Sequence, residues 1–475
     1  MPPNPQIKLL TLCLLILSML IGSCSIPPPL VERIKASGEL RVVTRNSGTT
    51  LYEGSEGLTG FEYDLVQLFA KELKVKPHFI IPNSFDDLLP MVINGDAHLA
   101  AAGLTVTPER ESKIRFAPSY QEISQQVIYR SGEKRPRKIE ALLGKDLHVL
   151  AGSSHEEELL RLKKHYPMLN WVSHFDMDSS ELLQMVEDKE IEFTIADSNE
   201  FAMSRRFMPH IKVGFNLTPP QPLAWAMVHA EDASLYKAAE KFFNRIRKDG
   251  TLAQLIERYY GHIGRLNFVE LRTFVRHFEN RLPKYRNTFI KAEKITGIDW
   301  RLLAAIGYQE SHWNPKAKSP TGVRGIMMLT LATAKQMKIK SRLDPQQSII
   351  GGAKYLQYIE HRLPERIQEP DRLWMTLAGY NIGFGHLEDA RILTEHLEND
   401  PDKWAEVKQH LPKLSLKKWY KSLKRGYARG KEAVNYVDNI RAYYELLKWQ
   451  LHKTELQPES NEDSPHALSI TPEAL

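Results

Sequence analysis

Asp299-Trp-Arg-Leu-Leu-Ala-Ala-Ile-Gly-Tyr-Gln-Glu-Ser-His-Trp-Asn-Pro315, with Ser319-Pro-Thr-Gly-Val-Arg-Gly-Ile-Met-Met-Leu-Thr330 close behind it, decides how the second half of this 475-residue chain is read. Asp299 is placed as a helix N-cap, and Asn314-Pro315 stops the helix. Leu303, Ile306 and Gly307 precede Glu310 at helical spacing, so the carboxylate shares their buried stripe. A carboxyl group in an apolar setting resists ionisation, and so does one at the negative, C-terminal end of a helix. Both effects hold a proton on Glu310 at neutral pH, which acid-assisted cleavage of a glycosidic bond requires. Position alone leaves open a plain surface Glu on a core helix.

Further letters narrow the choice. Glu310-Ser311, Asn314-Pro315, Ser319, Gly322, Gly325, Met327 and the later Gly379-Tyr380-Asn381-Ile382-Gly383 resemble the soluble-lytic-transglycosylase family, with its goose-lysozyme-like, mainly α domain, over about 130 residues. The resemblance implies that Glu310 is the sole catalytic acid/base. It places Tyr380 beside that acid and Ser319 and Asn381 on the sugar. It implies cleavage of the bond between N-acetylmuramic acid and N-acetylglucosamine with a 1,6-anhydro product. The family usually reads Gly-Leu-Met-Gln where this chain reads Gly325-Ile-Met-Met328, so a thioether replaces a sugar-binding amide. Hydrolysing glycosidases use two carboxylates. The nearest further acids, Glu360, Glu365, Glu369 and Asp371, read as an exposed connection. Two rivals stay open: a peptidoglycan-binding lipoprotein without activity, favoured by Met328, and a muramidase that uses water.

The first half alternates strand and helix patterns. Leu40–Thr44, Pro77–Ile81 and His98–Ala102 are strand candidates. Phe61, Leu65, Leu68, Phe69 and Leu73 mark one helix face. A second cycle holds strands at Asp146–Leu150 and Glu192–Ala196, and the chain returns to the first lobe near Leu223–Val228. Such alternation predicts parallel sheets with crossover helices, and two lobes of this kind make a hinged α/β clamshell. Gly60-Phe-Glu-Tyr-Asp64, Gly103-Leu-Thr-Val-Thr-Pro-Glu-Arg110, Phe116-Ala-Pro-Ser-Tyr120, Gly152-Ser-Ser154 and Lys248-Asp-Gly-Thr251 resemble the family-3 periplasmic solute-binding proteins over about 225 residues. The resemblance implies that Arg110 grips a ligand carboxylate, Asp197 its ammonium, and Thr105 and Ser153 donate beside them. An ion pair of Arg110 with Glu109 or Glu111 is the structural alternative.

Residues 1–23 read as an export signal, with Lys8 before an apolar run from Leu9 to Ile21 that is short for a bilayer span. Ile21-Gly22-Ser23-Cys24 resembles a bacterial lipobox, which implies a lipid on Cys24 and, with Ser25 following, the periplasmic face of the outer membrane. A soluble secreted product or an uncleaved anchor are the alternatives. The only other cysteine, Cys13, lies in the signal, so the mature chain has no disulfide and no thiolate metal site. No metal or organic cofactor is expected.

The formal charge of +6 hides an asymmetry: Arg265 to Gln450 carries 33 Lys and Arg against 20 Asp and Glu. Eight of the basic residues fall between Lys413 and Lys431, among Trp419, Tyr420 and Tyr427. For an exported chain this basic, aromatic stretch suits carboxylate-rich peptidoglycan better than nucleic acid, which is not expected as a partner; a plain solvated face fits as well. The expected organisation is a signal at 1–23, a tether at 24–38, a solute-binding-like regulatory domain at 39–267, a transglycosylase domain at 268–454 and a disordered tail at 455–475. Residues 264–290 are expected as a helix packed between domains. The first domain is expected to bind a wall-derived peptide or amino acid.

Overall fold

The computed structural model describes residues 27–54, 57–205, 207–261, 268–319 and 322–456. The signal, Cys24 and residues 457–475 lie outside them. The first half folds into two five-stranded sheets. One runs in the order Lys76–Ile80, Glu39–Val43, Leu99–Ala100, Ala226–Val228, Ile114–Phe116. The other runs Val172–His174, Leu147–Leu150, Phe193–Asp197, Gln125–Arg130, Ile211–Asn216. Three strands of each sheet are parallel, as crossover helices demand, and Phe61, Leu65 and Phe69 are the fully buried face of one such helix.

The sheets are mixed, however, not wholly parallel. Gln125–Arg130 runs antiparallel to both its neighbours, and so does Ala226–Val228. These are the strands by which the chain enters the second lobe and re-enters the first, so they arrive from the hinge and not from a crossover helix. The two passages between lobes pair as a short antiparallel ribbon, Gln121–Ile123 with Gln221–Leu223. The clamshell therefore has a two-stranded hinge.

Part of the expected tether has another structure. Residues Leu30–Ser37 form a helix that buries Ile34 in the first lobe, and the N–H groups of Leu30 and Val31 donate to Asp232 and Ser234. Val31 and Ile34 supply enough apolar surface to dock the segment. The stiff tether is thus shorter than 24–38.

The second half is helical. Trp300–Ser311 lies at its centre, with Leu303, Ala304, Ala305 and Ile306 fully buried, wrapped by Pro283–Thr296, Pro345–Arg362 and Gly430–Leu456, with Asp371–Ile382 packed on the last two. Gly307 lets its neighbours close in, since a Cβ there would lie 3.0 Å from the Phe289 ring. Helix Phe268–Asn280 does not sit between domains. It sends Leu271 and Phe274 into this same core, where Phe274 packs on Tyr308 and Tyr443. Val275 and Phe278 pack against that core as well.

The halves meet along helix Thr251–Tyr260. Its Glu257 accepts from Arg441 at 2.7 Å and from Lys408 at 3.0 Å, and Lys408 also reaches the fully buried Asp438 at 3.0 Å. Gln254 donates to Asp371, and Lys403 to the Asp249 carbonyl. Buried charges of this kind must stay paired, because each one left alone loses its hydration without recompense.

Candidate active site

The acid helix begins as its sequence dictates: the Asp299 side chain accepts from the Arg301 N–H at 2.8 Å. Its end differs slightly. His312 adopts the left-handed conformation (φ 51°) and closes the helix before Asn314-Pro315 is reached. Trp313 follows at φ 54° and drops its indole into the core, donating from Nε1 to the Ala304 carbonyl at 2.8 Å. Left-handed backbone costs a non-glycine residue about 1 kcal/mol or more, so this turn is held by the burial of Trp313.

The following loop is pinned to the helix. Ser311 Oγ donates to the Ile326 carbonyl at 2.8 Å, and Ile326 and Met327 are fully buried. Gly325 sits at φ 86° with Arg342 O only 1.9 Å from where a Cβ would be, so no other residue fits. Met328 is forced to φ 45° and lies half-buried beside this turn.

Glu310 is two residues before the helix cap and partly exposed, reachable from outside yet surrounded by protein. Burial pushes its carboxyl up to about 7, against the opposing hydrogen bond from Tyr436, whose hydroxyl donates to Oε1 at 2.6 Å. Among the described residues Tyr436 is its one side-chain hydrogen-bond partner, and no charged side chain contributes to the shift. Tyr380 stands next to this pair. Its ring stacks on Tyr436 with centroids 6.4 Å apart, and its hydroxyl donates to the Met327 carbonyl at 3.0 Å. Burial first, and then the Glu310 charge, hold both phenols well above their ordinary range, so both remain donors.

Of the residues singled out in the sequence, Glu310 and Tyr380 come together, and Met328 follows the carbonyl that anchors Tyr380. Ser319 lies in the loop ahead of Gly325, with its N–H on Val323 O. Asn381 is exposed next to Tyr380. The direct partner of the acid was missed: Tyr436 comes from helix Gly430–Leu456. A signal existed, because Ala433, Tyr436, Val437 and Ile440 form a buried stripe, and a phenol there needs a polar partner. Asp371 is excluded as a second acid of this site. It is the first residue at the far end of the Tyr380 helix, about 13 Å away along the axis, and accepts from the Trp404 N–H and Gln254.

The four residues predicted in the clamshell, Thr105, Arg110, Ser153 and Asp197, are all buried. Arg110 does not pair with Glu109 or Glu111. It donates from Nε to Glu157 Oε1 at 2.7 Å and from Nη2 to the Gly152 carbonyl at 3.0 Å. Asp197 faces His155 Nε2 at 2.9 Å. Thr105 accepts from Ser154 at 3.2 Å, while the Ser153 hydroxyl caps helix Ser154–Lys163 and donates to Leu150 O.

Comparison with known proteins agrees with this layout. Residues 40–262 match the bacterial extracellular solute-binding proteins of family 3, and residues 287–402 match the transglycosylase SLT domain. A membrane-bound lytic murein transglycosylase F of Saccharophagus degradans is 48% identical over 444 residues, covering 94% of this chain and 88% of that protein. One from Stutzerimonas stutzeri is 47% identical, covering 92% of each. Among solved structures, an ancestral arginine-binding protein bound to arginine aligns with 47% of this chain and 98% of its own at 25% identity and a TM-score of 0.44. The chain belongs to the membrane-bound lytic murein transglycosylase F family, as a solute-binding-like clamshell joined to a helical transglycosylase domain that acts on peptidoglycan.

Proposed function

We propose that Glu310 alone performs the acid and base steps of a cleavage that consumes no water. The protonated carboxyl gives its proton to the glycosidic oxygen between N-acetylmuramic acid and N-acetylglucosamine. The carboxylate so formed takes the proton of the muramic C6 hydroxyl as that oxygen attacks C1. A 1,6-anhydro end results, and Glu310 recovers its proton. The observation that carries this reading is a half-buried carboxyl with one phenol partner and no charged side chain, among the described residues, tuning it. An inverting hydrolase holds its second carboxylate about 6.5–9.5 Å away and a retaining one about 5–5.5 Å away.

Tyr436 orients the acid, and Tyr380, anchored on the Met327 carbonyl, shapes the wall against which the sugar lies. Ser319 and Asn381 supply hydroxyl and amide contacts to the glycan. Met328 offers it an apolar surface in place of an amide. The basic stretch from Lys413 to Lys431 is exposed on the same domain and suits the carboxylates of stem peptides.

The first domain reads as a sensor for a wall-derived peptide or amino acid, held through Arg110 and Asp197 with Thr105 and Ser153 nearby. Its route to the acid is short. Glu257 binds Arg441, which stands five residues from Tyr436 on one rigid helix. Lipid on Cys24 would hold the enzyme at the periplasmic face of the outer membrane. Among the described residues no helix is long and apolar enough to cross a membrane.

Digestion of purified peptidoglycan should release fragments one water lighter than reducing-end products, and Glu310→Gln should release none while keeping its fold. Reducing ends in the mass spectrum would mean hydrolysis. The release rate should fall as pH rises through about 7, where the acid loses its proton. Tyr436→Phe removes a bond that favours the carboxylate, so the fall should move to higher pH and the maximal rate drop about ten- to a hundredfold. An unmoved alkaline limb would contradict the assignment of Tyr436. A stem peptide that binds the full chain should change the release rate; binding with an unchanged rate would remove the sensor role. Cys24→Ala should shift the protein from the membrane fraction to the soluble fraction, and unchanged membrane retention would dismiss the lipid.

A further inference from the structure

Both charged grips of the clamshell already hold groups from the chain itself. Arg110 belongs to the first lobe, and its guanidinium meets Glu157 of the second at 2.7 Å. The other oxygen of Glu157 accepts from Thr107, again of the first lobe, at 2.8 Å. Asp197 of the second lobe meets His155 at 2.9 Å. His155 and Glu157 stand two residues apart in the first turn of one helix, Ser154–Lys163. That single turn therefore presents an anion to the buried arginine and a nitrogen donor to the buried aspartate. An amino acid would bring a carboxylate to the one and an ammonium donor to the other.

The lobes are otherwise in close contact. Arg45 of the first pairs with Glu200 of the second, and both are buried or nearly so. Ser154 donates to Thr105 at 3.2 Å. The Gly152 backbone approaches Asp86 so closely that a Cβ would sit 2.6 Å from the Asp86 Cβ. The internal fit is imperfect: His155 Nδ1 is buried and, among the described residues, has no hydrogen-bond partner. An unsatisfied buried polar atom is a standing cost, and it leaves the internal group displaceable.

We propose that the first turn of helix Ser154–Lys163 is a built-in pseudo-ligand. Glu157 stands in for the carboxylate and His155 for the ammonium, and the clamshell closes upon them by itself. A ligand enters by displacing both at once, so a compact zwitterion competes where a simple carboxylate cannot. This rests on the reading of Arg110 and Asp197 as the grips of the cleft. The occupant lowers apparent affinity by the fraction of time it holds the grips.

The test uses the full chain with spin labels at Lys71→Cys in the first lobe and Lys212→Cys in the second, both exposed. Pulsed distance measurement without ligand should give one short separation. Glu157→Gln should lengthen it, because Arg110 loses its anion across the cleft. Glu158→Gln, which touches only the exposed pair with Arg161, should leave it unchanged. Calorimetry with L-alanine, L-glutamine and L-arginine should find at least one that binds Glu157→Gln about tenfold or more tighter than it binds the parent chain. His155→Ala provides a second variant: its contact with Asp197 lies within the second lobe, so the separation should stay as in the parent while the same amino acid binds more tightly. A Glu157→Gln chain that stays as closed as the parent overturns the proposal, as do affinities of both variants equal to the parent's. Opening of Glu157→Gln with no amino acid bound by any chain upholds the internal occupant and rejects the amino-acid reading of the cleft.

Discussion

The chemistry proposed for the catalytic half depends on keeping one proton on Glu310. Two forces oppose each other there. Burial among apolar helices raises the cost of the carboxylate, and the Tyr436 hydroxyl lowers it. Burial wins, but only partly, so the carboxyl titrates close to neutral pH, where it can both give and take a proton. Much of the domain serves that balance. Trp313 locks the strained turn after the helix, Gly325 lets the next loop press against it, and helix Gly430–Leu456 delivers the phenol from 126 residues away.

The same C-terminal helix ties chemistry to architecture. Tyr436 touches the acid, Asp438 is buried against Lys408, and Arg441 holds Glu257 of the clamshell. A rigid helix cannot shift at one of these points without straining the others. The ion pairs are partly buried, so salt screens them less than exposed contacts and they hold the two domains in register. The Thr251–Tyr260 helix carries Glu257 at this junction, and its Tyr259 reaches back to Asp64 at the rim of the first lobe.

What the sequence revealed follows the range of the forces involved. Glu310 was legible because its burial is a local helical pattern, and Tyr380 and Arg110 because they sit in short fixed spacings. Tyr436, Glu157 and His155 were not, since each acts through a contact made only when distant segments fold together. Nothing in Ser154-His-Glu-Glu157 announces that its acid faces Arg110 across a cleft. The antiparallel strands Gln125–Arg130 and Ala226–Val228 escaped for a related reason: their direction is set by how the chain crosses the hinge. Helix Leu30–Ser37 looked like tether because three prolines precede it, and only its docking on the first lobe stabilises it.

The account is tested most directly by titrating Glu310 itself. Infrared difference spectra of the full chain against Glu310→Gln isolate the carbonyl stretch of the protonated acid across a pH series. The account predicts that this band persists into neutral solution and fades with a midpoint of about 7. A midpoint near the ordinary value of 4.5 would show an ionised, solvated carboxylate at working pH, and a lone-acid mechanism could not stand on it.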